Sequence, residues 1–209
     1  LENPDIKGCF CVSTSFRDEP NPVEGRHDKI FPMFEFEMPG NMDDLIELEK
    51  GLLEHLGFPK RGENNTYPEG DYLDVAKEYG VKELEHEHEE RLEKDHGEVF
   101  FLKNFPFYTS PFWNMKADFK NKKSYKVDVI IHGIETIGSA ERSCNKEEMK
   151  EMFKAISDGE YADILHNKFS EERVGKEMER FLEHDFIPRV GGGIGMTRMI
   201  RAMKLSNLL

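Results

Sequence analysis

Cysteine is scarce in this 209-residue chain: there are three, Cys9, Cys11 and Cys144. So small and odd a set argues against a disulfide framework and for a reducing compartment, so a cytoplasmic location is expected. No apolar run approaches the roughly 20 residues of a membrane span. No signal peptide opens the chain, and no membrane partner is expected. Blocks of Lys and Arg are missing too. The net charge is −13, whereas a domain that grips nucleic acid usually carries a basic face. Repeats and low-complexity linkers are absent, which leaves one domain over residues 1–209.

What is present is a soluble globular composition, 37% apolar and 34% charged, with sixteen Phe. Residues 8–19 read as a strand, PNPVEGRHDK as a loop and IFPMFEFEM as a returning strand. Cys9 and Cys11 alternate with Phe10 and Val12, which fits a half-buried strand better than a metal clip. Residues 42–56 place Leu45, Leu48, Leu52 and Leu53 at helical spacing behind Asp43 and Asp44. Helical patterns near 71–79 and 83–95 precede three strand candidates, at 99–105, 112–119 and 124–136. Further helices are predicted at 145–157, 158–168 and 170–184, before FIPRVGGGIG as a last strand running into a helix near Thr197. Antiparallel neighbours with helices between them make an α+β pattern.

Two stretches invite a chemical reading. GGGIGMTR, residues 191–198, is neither a dinucleotide fingerprint, since Met196 stands where the third glycine belongs, nor a P-loop, since no lysine follows before Lys204. HEHEERLEKDH, residues 86–96, has Glu90 where a zinc-protease helix needs its second His, so a solvated charged helix is the reading.

SFRDE, GRHDKIF and GGGIGMTR together resemble motifs 2 and 3 of the class II aminoacyl-tRNA synthetases. VDVIIHGIETIGSAER is similar to the aspartyl/asparaginyl branch, with Asp128 and Glu135 seven apart and Arg142 seven further on. FPFYTSPFWNMK resembles the strand pair before it, and the matches run from about residue 10 to 204. The resemblance implies a class II synthetase-like antiparallel sheet flanked by helices. Motif 1, with its dimer helix, and an anticodon-binding barrel are not in this sequence, so an N-terminal segment is expected to be missing and the native form to be a homodimer. IPRVGGGIG departs from the usual Pro-His-Gly run and looks more like the free-standing asparagine synthetase A relatives. Ammonia is therefore the expected acceptor, giving asparagine, AMP and pyrophosphate. The alternatives are the catalytic core of an aspartyl- or asparaginyl-tRNA synthetase, with tRNA as partner, and a non-catalytic regulatory paralogue.

The resemblance also implies roles, with ATP and Mg²⁺ as cofactors and aspartate as substrate. Arg17 faces the α-phosphate, where a planar guanidinium suits paired phosphate oxygens. Glu19, two residues on along the strand, helps to fix the nucleotide; His27 takes the γ-phosphate with Arg26 beside it. Phe31 stacks on adenine, Arg198 covers the other side, and Gly193 and Gly195 let backbone approach the nucleotide. Asp128 and Glu135 hold Mg²⁺, a hard cation that takes carboxylates plus phosphate oxygens. Arg142 pairs with the substrate carboxylate that is not activated, and Glu35 and Ser139 are candidates for its ammonium.

Overall fold

The computed structural model describes residues 1–3, 5–18 and 28–209. One sheet organises the described chain, in the order β1-β2-β8-β7-β6-β4-β3, with β5 beside β6. All pairings are antiparallel except β3 with β4. The strands are β1 Cys9–Phe16, β2 Ile30–Pro39, β3 Glu69–Asp71, β4 Val99–Pro106, β5 Ala117–Asp118, β6 Lys123–Ile131, β7 Ile134–Glu141 and β8 Arg189–Gly195. The helices are α1 Met42–Leu56, α2 Tyr72–Tyr79, α3 His86–His96, α4 Lys146–Ala155, α5 Glu160–Phe169, α6 Glu171–Leu182 and α7 Met196–Leu205. This is the α+β architecture expected from the sequence.

Alternation along the strands sorts side chains onto two faces. On one face Phe34, Phe36, Val127, Val129, Ile131, Ile137 and Ile194 pack against Ile46 and Leu53 of α1 and Met199 and Ala202 of α7. Local chemistry sets α1: the Asn41 side chain accepts from the Asp43 and Asp44 amides, Asp44 accepts from the Asn41 amide, and Gly57 closes the helix at φ 94°. The buried stripe of α1 is Leu45, Ile46, Glu49 and Leu53. Leu48, expected inside, is 42% exposed, and Glu49 faces inward beside it.

Two predicted strands are redrawn. Residues 124–136 are not one strand; the chain reverses at His132 and Gly133, both with positive φ, and β7 returns to Glu141. A two-residue turn in which both residues are left-handed matches the twist of a hairpin. The 112–119 stretch forms a strand only at Ala117–Asp118, with an isolated bridge from Met115 to Arg142. Its aromatic head is drawn elsewhere: the Trp113 ring meets those of Phe153 and Phe181 edge-on.

Candidate active site

The other face of the sheet carries a cavity of about 680 Å³. Its floor comes from strand positions of one parity. Cys9, Cys11, Ser15 and Arg17 come from β1 and the residue just past it, Phe31, Met33, Glu35 and Glu37 from β2, and Gly193 and Gly195 from β8. The first three strands of the sheet are in register, with Cys11 opposite Glu35 and Glu35 opposite Gly193. Side chains are missing where the space is wanted. A Cβ on Gly193 would lie 2.5 Å from Met33 Cε, and one on Gly191 would collide with the Glu37 carboxylate. Gly195 is under no such local constraint, since its nearest neighbour is Arg198 Cδ at 3.5 Å.

Asp128 and Glu135 reach the same spot through a bulge. The register between β6 and β7 shifts at Val129/Ile130, so Glu135 pairs with Ile130 and joins Asp128 on the cavity face. Without that extra residue, Glu135 would point into the core with Ile137. The ideal Cβ position on Gly138 lies 2.7 Å from Glu135 Oε1 and 3.6 Å from Asp128 Oδ1, so both carboxylates lean over a bare glycine.

Asp128 Oδ1 is buried and has no hydrogen-bond partner among the described residues, while Oδ2 accepts from Lys126 Nζ at 2.5 Å. Burial pushes the Asp128 carboxyl up to about 7, against the pull of Lys126 and with a further push from Glu135. Burial opposes the charge on Lys126, but Asp128 and Glu135 outweigh it and raise the ammonium, which also lies 3.9 Å from the centre of the Phe105 ring. An orphaned carboxylate oxygen facing a second carboxylate over open backbone fits a hard divalent cation. Among the described residues no cluster of three or more such ligands could hold a metal. A cation here would complete its shell with phosphate oxygens and water.

The cationic groups are placed by separate elements. Arg198, in the first turn of α7, donates from Nη1 to the Glu135 carbonyl oxygen at 2.6 Å and lies 3.8 Å from its carboxylate. The Arg17 guanidinium lies 5.3 Å from the centre of the Phe31 ring, which a cation–π contact allows. Arg142, just beyond β7, donates from Nε and Nη2 to Glu37 Oε1 at 2.9 and 2.7 Å. Arg189 approaches the same carboxylate from β8, Nε to Oε2 at 3.8 Å. Glu37 Oε2 and Arg189 Nη1 are both buried without a hydrogen-bond partner among the described residues. Burial lowers the Arg189 guanidinium from its ordinary value; Glu37 raises it and Arg142 lowers it further.

Glu35 lies in the cavity, its Oε2 accepting from Ser13 at 2.9 Å and meeting Cys11 Sγ at 3.6 Å. Ser139 does not reach the cavity: it is buried, its hydroxyl donates to the Val127 carbonyl at 3.4 Å, and it faces the α1 side with Ile137. The assignment of Ser139 to substrate ammonium is therefore corrected by strand parity. Glu19, Arg26 and His27 lie outside the described residues. Sequence reasoning missed Glu37, Lys126 and Arg189. A period of two from Glu35 would have placed Glu37, and the same period back from Gly191 would have placed Arg189. The helix α3, read as a charged surface helix, buries only Leu92 and uses His88 Nδ1 as acceptor for the Glu85 amide at 2.8 Å.

The sequence pattern of the family described as tRNA synthetases class II (D, K and N) matches residues 5–207. The chain belongs to that family. It is 26% identical over 159 residues to the aspartate–tRNA(Asp) ligase of Pyrobaculum aerophilum, covering 72% of this chain and 34% of that protein. It is 23% identical over 229 residues to the cytoplasmic aspartate–tRNA ligase of Rattus norvegicus, covering 93% and 43%. Among solved structures, asparaginyl-tRNA synthetase from Pyrococcus horikoshii complexed with asparaginyl-adenylate superposes with a TM-score of 0.72 at 17% identity, over 96% of this chain and 50% of that one. Aspartyl-tRNA synthetase from Entamoeba histolytica gives 0.70 at 18%, over 94% and 44%. The chain thus spans between a third and a half of the length of the curated relatives it matches. Its family gives it a class II synthetase-like core, and the relatives it resembles are aspartate–tRNA ligases.

Proposed function

We propose that this chain activates aspartate with ATP and Mg²⁺, and that the acceptor is tRNA. A carboxylate oxygen of aspartate attacks the α-phosphorus, the bond from that phosphorus to the α,β-bridging oxygen breaks, and pyrophosphate leaves on that oxygen with the electron pair. The observation that carries the reading is the placement of two unlike charge clusters in one cavity. At one end Glu135 lines the wall with Asp128 buried behind it, both leaning over Gly138, and at the other Arg142 lines the wall with Glu37. The first suits a cation shared with phosphates, the second an amino-acid carboxylate. Between them Arg17 neutralises charge developing on the α-phosphate, Phe31 and Arg198 hold the base, and Glu35 takes the ammonium. Glu19, Arg26 and His27 keep the nucleotide roles implied by the motif. The magnesium ion, when bound, screens the polyphosphate; Asp128 Oδ1 and Glu135 would hold it.

The acceptor assignment follows the relatives, which are aspartate–tRNA ligases, rather than the ammonia-using enzymes to which the glycine run is similar. Ammonia stays as a second reading on one observation, the charge of −13 on a chain that would have to meet a polyanion. Trapping with hydroxylamine separates the two. A tRNA ligase activates the α-carboxylate and yields the α-hydroxamate of aspartate with an equal amount of AMP. An ammonia ligase yields the β-hydroxamate and needs no RNA. Only β product would overturn the tRNA reading, and AMP formation with no aspartate requirement would overturn both. The native form we propose is a homodimer, supported by the row Phe10, Val12 and Phe16 on edge strand β1, exposed by 73%, 67% and 76%.

A further inference from the structure

The carboxylate-binding end of the cavity holds more positive charge than a single arginine supplies. Arg142 and Arg189 converge on one acid, Glu37, which takes two hydrogen-bonding approaches from the first and a looser contact from the second. Glu141, a buried acid on the same stretch of chain, is committed elsewhere: it accepts from Lys116 Nζ at 2.7 Å and from the Met42 amide at 3.2 Å. Glu35 is held by Ser13 and Cys11. Among the described residues, two guanidiniums against one carboxylate leave one unit of positive charge, with side-chain exposure of 16% for Arg142, 11% for Arg189 and 39% for Glu37.

We propose that Arg189 is a positioning residue that sets the charge selectivity of the amino-acid pocket, by sharing Glu37 and so leaving Arg142 cationic toward substrate. This rests on the aspartate-activation reading above. The chemistry of the alternative shows why. An isolated Arg142–Glu37 pair is neutral and offers one donor group and one acceptor, which is the complement of a carboxamide. A carboxylate brought to that pair would meet the Glu37 charge as well as the arginine. With Arg189 against Oε2, that repulsion is offset and the surplus charge favours an anion. The orphaned Arg189 Nη1 and Glu37 Oε2 fit a cluster whose balance is completed by a ligand.

The test measures calorimetric affinities of the full chain for aspartate and its two mono-amides, asparagine and isoasparagine, with ATP affinity as control. Whichever carboxylate faces the cluster, the mono-amide that neutralises it should bind less well than aspartate to the wild-type protein. In Arg189→Met that ratio should collapse by about tenfold or more, as when a charge is removed from a desolvated cluster. Arg189→Lys should keep it, and ATP affinity should hold in both. A merely structural role would weaken aspartate and amide alike and leave the ratio alone. An unchanged ratio in Arg189→Met, with normal aspartate binding in the wild type, overturns this inference only. Failure of the wild type to bind aspartate overturns the functional reading, and this inference with it. Should Arg189→Met not fold, Glu37→Gln reads the same balance in the other direction: it should widen the ratio, and a narrowed ratio contradicts the proposal.

Discussion

The two faces of the sheet are made by the same strands and could hardly differ more. In β8, Val190 and Ile194 lie buried on one face, while Gly191, Gly193 and Gly195 present bare backbone on the other. In β6, Val127 and Val129 are fully buried against α1 and α7, whereas Lys126 and Asp128 turn the opposite way. One parity serves folding: close-packed, apolar and helix-covered. The other buries Phe100, Leu102 and Ile130 under α2 and α3 at its β4–β6 end. Toward β1, β2, β8 and β7 it holds glycines and surplus guanidinium charge, and, with Asp128, carboxylate oxygens unpaired among the described residues, a set that lowers stability and suits ligands. Between the α1/α7 face and the cavity end of the opposite face, substitutions should separate into effects on folding and effects on ligand affinity.

The largest effect is expected on the cavity face. Arg142→Ala should lose about 3–5 kcal/mol of aspartate interaction, the usual range for breaking a buried charge pair. Calorimetry should show ATP affinity nearly unchanged, and an equal fall in both affinities would place Arg142 outside the amino-acid pocket. On the core face, Leu53→Ala removes a side chain with 0% exposure and should cost about 2–5 kcal/mol of stability in urea denaturation. Aspartate and ATP affinities should survive that change in the fraction that stays folded.

Glu49 is where the core face breaks its own rule. It is 1% exposed, neither carboxylate oxygen has a hydrogen-bond partner among the described residues, and burial pushes it up to about 8, eased by Ser139 and aggravated by Asp128. An acid raised on folding weakens the fold as pH climbs from its unfolded value through its folded one. Below about 4.5 it is neutral in both states and costs nothing. Glu49→Gln should therefore match the wild type at pH 4.5 and exceed it by an amount that grows to a plateau above pH 8, on the order of a few kcal/mol. A stability gain independent of pH would show that Glu49 is not the titrating group. The smallest effect belongs to neither face. Gly51 sits on the exposed side of α1 with nothing within 4 Å of an added Cβ. Gly51→Ala should raise stability by about 0.5–1 kcal/mol with no change in binding.

How much of this was legible follows from what a one-dimensional pattern can hold. Helix caps, strand alternation and the spacing of Asp128, Glu135 and Arg142 are local, so the α+β order could be read directly and these three residues singled out. The hairpin at His132–Gly133 was hidden because its turn lacks the Asn-Gly or Asp-Gly signal and its flanks are equally apolar. The bulge that swings Glu135 to the cavity exists only in the pairing of two strands. Ser139 was misassigned for the same reason, since its face is fixed by β7 and not by its neighbours in the motif. Glu49, Lys126 and Arg189 have ordinary sequence surroundings. For Glu49 and Arg189 the importance comes from partners far away in the chain, the 139 region and Glu37; for Lys126 it comes from the burial of its bond to Asp128, two residues on.

The central claim, that the cavity activates aspartate through a cation held by Asp128 and Glu135, is tested most directly by exchange of labelled pyrophosphate into ATP. Exchange should require aspartate and Mg²⁺ together, and should disappear in Asp128→Asn and Glu135→Gln while both variants keep the wild-type melting transition. Exchange at full rate in the presence of EDTA, or undiminished in either variant, would contradict it.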